Sequence, residues 1–178
     1  MGLPRTFVGF RSTNINHYRL MLAWRAHEHI DFDFCDCQHQ NEVNSDDENY
    51  IKRKCRGRIN MAGTYIMLTG PYTRYKHKYV RWEAEVAIEK RRRIIGVNLD
   101  GWRRINEKTC PPVIRNIGAL FVPFSPQIVA YTLEHAQRKN DSNNWEFSDE
   151  TYTKLGYTLV GNHAERLKRP FPYFESIL

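Results

Sequence analysis

Residues able to carry chemistry concentrate in Lys78-Tyr79-Val80-Arg81-Trp82-Glu83-Ala84-Glu85. On a helix, with about 100° between successive residues, Glu83 falls on the edge of the apolar stripe of Val80, Ala84, Ala87 and Ile88, while Glu85 and Glu89 turn toward solvent. Only Glu83 is then placed to face a crevice. A fixed carboxylate there can stabilise positive charge developing on a substrate. It can equally complement the positive end of the helix dipole, and the residues alone leave both uses open. Cys35-x-Cys37-x-His39 brings three zinc-ligand types to one side of an extended segment. A fourth ligand at suitable spacing is missing, so reduced thiols and no metal are expected. Asp36 points the other way and either reaches the crevice or forms a turn. Tyr72, Tyr75, Tyr79 and Trp82 stand among basic residues, where aromatic rings stack bases or simply pack. Gly70-Pro71-Tyr72-Thr73 is neither a Walker loop nor a G-x-G-x-x-G turn, and no G-x-S-x-G elbow or nucleic-acid-binding module is recognisable.

The elements that must position these residues follow from hydrophobic periodicity. Thr6–Phe10 reads as a first strand, with Arg11-Ser12-Thr13-Asn14 as the loop at its carboxyl end. His17–His29 has helical spacing, and Asp31–Cys35 alternates like a strand. Ser45-Asp46-Asp47-Glu48 has the form of a capping box, and Ile51, Cys55, Ile59 and Ala62 then share one helical face. Thr64–Leu68 is a continuous apolar run, as in a strand buried on both faces. A helix carrying Glu83 follows, then strands over Arg93–Leu99 and Ala119–Pro123, and a helix opened by Pro126 that runs to about Asn140. Strands alternating with helices predict an α/β fold, an open parallel sheet with helices on both faces. With five strands, the flavodoxin-like order 2-1-3-4-5 is expected, and its ligand crevice lies beyond strands one and three, lined by Phe10–Asn14 and Thr69–Tyr75.

The 178 residues suit one domain. Residues 1–140 are expected to form it, with 141–178 an extension packed on the same domain. Hydrophobic residues at 41% and aromatics at 13% exclude a disordered chain. The absence of any long apolar run predicts no membrane span or secretory signal, hence a cytoplasmic location with reduced cysteines. A net charge of +7, with basic clusters at Lys52–Arg58, Arg74–Arg81 and Lys90–Arg93, suits a polyanionic partner or a solvated surface.

Thr6-Phe7-Val8-Gly9-Phe10-Arg11-Ser12 resembles the first TIR box. Phe32–Asp36, Asp47–Lys54, Arg58-Ile59 and Tyr65–Gly70 are similar to the TIR-like family that includes the Thoeris signal-producing proteins. Tyr79-Val80-Arg81-Trp82-Glu83 resembles the aromatic-V-x-x-E pattern in which TIR NADases keep their glutamate. The resemblance covers about Thr6 to Leu99. It implies a flavodoxin-like TIR fold, NAD as substrate with no separate cofactor, and Glu83 as the catalytic residue contacting the nicotinamide ribose. Phe10, Arg11, Ser12, Asp36, Tyr72 and Trp82 are the substrate-binding candidates. Gly9 and Asn14 stand where the first TIR box often has Ser and an acidic residue. The implied product is a cyclic or conjugated ADP-ribose signal that reaches a downstream effector in antiphage defence. A phage-derived activator and TIR–TIR self-assembly are further expectations, with no membrane partner. The alternatives are a non-enzymatic TIR-like adaptor module, since fold does not fix function, and a basic nucleic-acid-binding domain, which salt-dependent binding would reveal.

Overall fold

The computed structural model describes residues 5–9, 34–35, 48–70, 73, 78–140 and 142–159. The helix expected over His17–His29, the crevice loop Phe10–Asn14 and the Cys37 and His39 side chains lie outside them. Strands β1 (Thr6–Gly9), β3 (Thr64–Thr69), β4 (Arg93–Asn98) and β5 (Leu120–Pro123) run parallel, and the two-residue β2 (Phe34–Cys35) pairs with Thr6 and Phe7 beyond β1. The order across the sheet is β2-β1-β3-β4-β5. Helices α1 (Glu48–Met61), α2 (Lys78–Glu89), α3 (Pro126–His135) and α4 (Asp149–Lys154) surround it.

Alternation along the strands divides the core in two. Phe7, Tyr65, Met67, Ile94 and Phe121 pack with Ile59 and Ala62 of α1 and Val80, Ala84 and Ala87 of α2. Val8, Ile66, Leu68, Ile95, Val97, Leu120 and Val122 pack on the other side with Ile128, Val129 and Leu133 of α3 and Tyr152 of α4. All six residues of β3 are buried, which explains the unbroken apolar run. Among the described residues, no helix is long and apolar enough to cross a membrane.

Helix α3 stops at His135, short of the expected Asn140, because Ala136 turns into extended backbone. The cause lies at the start of β4. The Arg93 guanidinium donates to the carbonyl oxygens of Leu133 (3.1 Å) and Ala136, and to Thr64 Oγ1 (2.7 and 3.0 Å). Carbonyls at a helix end need donors, and here a side chain supplies them and fixes where the chain turns. Burial pulls Arg93 below the ordinary arginine range, so this member of the Lys90–Arg93 cluster is a structural cation, not part of a solvated surface. Arg93→Met, which keeps the stem but loses the donors, is expected to cost about 2 kcal/mol and to lower Tm by about 4–8 °C. Arg93→Lys should recover only part of that, having no planar fork. Thermal unfolding of the three proteins checks this.

The residues after Asn140 contain structure that periodicity did not reveal. Trp145 forms a parallel bridge with Leu120: its N–H donates to Ala119 O and its carbonyl accepts from Phe121 N–H, both at 3.0 Å. Asn144 Oδ1 accepts from the N–H groups of Ile117 and Ala119. Trp145, Phe147, Leu155, Tyr157 and Leu159 pack against the α3 side of the core. Arg103, only 3% exposed, reaches Asp149 Oδ1 at 2.7 Å and so ties the loop after β4 to α4.

Candidate functional site

Glu83 is 3% exposed, whereas Glu85 and Glu89 are exposed. Val80, Ala84 and Ala87 form the buried stripe of α2, and Glu83 lies beside it. On the opposite side Arg81 and Glu85 make an i,i+4 ion pair at 2.7 Å. The helix begins at Lys78 and has no acidic residue in its first turn. Glu83 therefore lies beyond the turn in which a carboxylate complements the dipole, which removes that alternative.

The sheet meets Glu83 at the carboxyl end of β1. Phe7 and Gly9 face the same side by strand alternation, as do their partners Tyr65 and Met67 on β3. Phe7 stacks on Tyr65 with ring centroids 5.9 Å apart, and the Tyr65 hydroxyl donates to Val80 O at 3.4 Å. At Gly9 a Cβ would lie 2.2 Å from Tyr65 Oη and 3.0 Å from Glu83 Oε2. The missing side chain is thus what lets the phenol and the carboxylate close over the strand end, a use of strand glycine that depends on close approach.

From α1, the Cys55 thiol donates to Glu83 Oε1 at 3.8 Å. Burial, then the Glu83 charge, pushes the Cys55 thiol up to about 12. The same two causes, in the same order, raise the fully buried Tyr65 phenol well above its usual range. Both groups stay protonated near neutral pH. The arrangement is a buried carboxylate flanked by protonated S–H and O–H groups, which in its ionised form is suited to meeting a cation that forms during reaction.

Trp82 is half-buried and faces α1, with Lys52 Nζ 3.8 Å and Lys78 Nζ 4.9 Å from its ring centroid. It lines a groove between α1 and α2 that Cys55 also lines. Phe10, Arg11, Ser12, Asp36 and Tyr72 lie outside the described residues. At the carboxyl end of β3, Thr69 Oγ1 donates to Asn98 Oδ1 at 2.8 Å, and Thr73 Oγ1 donates to Gly70 O at 2.8 Å. Several basic residues are paired: Arg56 with Glu89 at 2.8 Å, Arg81 with Glu85, and Lys78 with Glu48. These pairs dilute the positive field that a polyanion would need. Among the described residues no cluster could hold a metal ion.

Cys55 and Tyr65 were not singled out as site residues from the sequence. The available signals were a tyrosine inside a fully buried strand, whose hydroxyl needs a partner, and a glycine in a strand, which marks close approach.

Together, fold and site define an α/β domain with a buried carboxylate at the carboxyl end of a parallel sheet, the end where open α/β sheets bind ligands. Residues 7–104 match the family described as Thoeris protein ThsB, TIR-like domain, and the chain belongs to that family. The match begins in β1, includes Glu83 and ends in the loop after β4. No curated protein matches the chain.

Proposed function

We propose that this protein cleaves the bond between nicotinamide and ribose in NAD, with Glu83 as the catalytic carboxylate, and passes the ADP-ribosyl unit on as a cyclic or conjugated signal. The observation that carries this reading is the buried Glu83 carboxylate beside Gly9, inside the segment that matches the family. Nicotinamide departs with the electron pair of the C–N bond, leaving an oxocarbenium-like sugar. The Glu83 charge stabilises that cation and holds the ribose hydroxyls. Water, or a nucleophile within the same molecule, then forms the new bond to the anomeric carbon and releases a proton.

We further read the sheet as the flavodoxin-like five-stranded arrangement, with residues 1–140 as the TIR-like domain and 141–178 as an extension packed upon it. Phe10, Arg11, Ser12, Asp36, Tyr72 and Trp82 are assigned to substrate binding. The protein acts in the cytoplasm, and its product activates a partner effector in antiphage defence. Incubation of the purified chain with NAD, with and without extract from phage-infected cells, is expected to release nicotinamide in at least one condition. Release no greater than from Glu83→Gln in both would overturn the reading.

A further inference from the structure

Cys55 stands between two environments. Its Sγ is 3.8 Å from Glu83 Oε1, and the residue also lines the groove between α1 and α2 with Lys52, Arg56, Trp82 and Val86. A thiol here can act as a thiolate nucleophile or as a neutral donor. Burial and the neighbouring Glu83 charge hold it protonated against the pull of Arg58, which leaves the donor role. An S–H group is a weak donor with no charge. It can orient a carboxylate without cancelling the negative charge that the chemistry needs, as a lysine or arginine at the same place would.

We propose that Cys55 is a positioning residue: from α1 its S–H holds Glu83 Oε1, so that the carboxylate keeps a fixed direction at the end of β1. This rests on the reading of Glu83 as the reacting group. Among the described residues, the titratable and charged groups around the pair are Lys52, Arg56 and Arg58 on α1, Glu85 and Glu89 on α2, and Tyr65 on β3. Tyr65 donates to Val80 O, and Cys55 donates to Glu83 Oε1.

The test compares wild type, Cys55→Ala and Cys55→Ser as full chains labelled with 13C at glutamate carboxyls. Loss of a donor to the charged form raises a carboxylate titration midpoint. The Glu83 midpoint is therefore expected about half a unit to one unit higher in Cys55→Ala, with Cys55→Ser close to wild type. In NAD turnover, kcat should fall about three- to tenfold in Cys55→Ala with KM within about twofold, and Ser should rescue kcat. If the alanine variant does not fold, the isosteric pair Cys55→Thr and Cys55→Val makes the same comparison of donor against no donor. Unchanged midpoint and kcat in the donor-free variant would overturn the proposal, as would equal losses in the serine and alanine variants. A wild-type chain with no NAD turnover would sink the catalytic reading, while the titration would still judge the Cys55–Glu83 contact.

Discussion

Replacing Glu83 by Gln is expected to lower NAD turnover at least about a hundredfold, the scale seen when one preorganised electrostatic group is removed, and to leave Tm unchanged or higher. Gln keeps the size and one acceptor oxygen but not the charge. The asymmetry between activity and stability follows from burial. Glu83 is 3% exposed beside Cys55, Tyr65 and Gly9, and a carboxylate removed from water is costly to the fold. Its neutral isostere relieves that cost, a trade between stability and function often met at active sites. Glu85→Gln, which loses only an exposed ion pair with Arg81, should change stability by about 0.3–0.5 kcal/mol and leave turnover intact. Turnover and melting measured on both variants decide the matter. An active Glu83→Gln protein would remove the catalytic assignment.

Gly9→Ala is expected to damage both stability and turnover. The new methyl would stand 2.2 Å from Tyr65 Oη, 2.8 Å from its Cζ and 3.0 Å from Glu83 Oε2. Tyr65 is fully buried and stacked on Phe7, so its ring has nowhere to swing. Overpacking of this kind costs about 1–3 kcal/mol, or about 3–10 °C in Tm for a chain of this size. Turnover should fall more than about tenfold, because the displaced carboxylate loses its alignment. Tyr65→Phe removes the nearest atom but leaves Cζ, so the double variant Gly9→Ala/Tyr65→Phe should recover part of the stability, a coupling read from a double-mutant cycle. Wild-type melting and turnover in Gly9→Ala would mean that the end of β1 relaxes away from Glu83.

Much of this architecture is legible from local pattern. The apolar runs of β3, β4 and β5 and the stripe of Val80, Ala84 and Ala87 follow from burial acting at periods of two and 3.6 residues. The separation of Glu83 from Glu85 needed only helical geometry. What escaped depends on partners distant in sequence. Helix α3 ends where Arg93, 40 residues from Leu133, caps its carbonyls. Helix α2 ends through Arg91 in the left-handed region (φ 52°), with Arg92 N–H donating to Ala87 O, although no glycine marks the turn. Helix α4 has six residues, too few for a period to show. The Cys55–Glu83 contact joins residues 28 apart that only the packing of α1 on α2 brings together. Site candidates in the loops after β1 and β2 fall outside the described residues.

The bridge made by Trp145 bears on how copies of this chain can associate. β5 ends one side of the sheet, and an edge strand with open amides is a template on which another chain can add. Here the outward amides are already engaged: those of Ile117 and Ala119 by Asn144, and that of Phe121 by Trp145. The next outward position is Pro123, which has no N–H. A foreign strand therefore finds the outward amides from Ile117 to Phe121 already taken by the chain itself, which disfavours β-augmentation along this border. An ordered array of these domains that approaches from the β5 side is then expected to be joined through side chains or helix faces rather than by strand pairing.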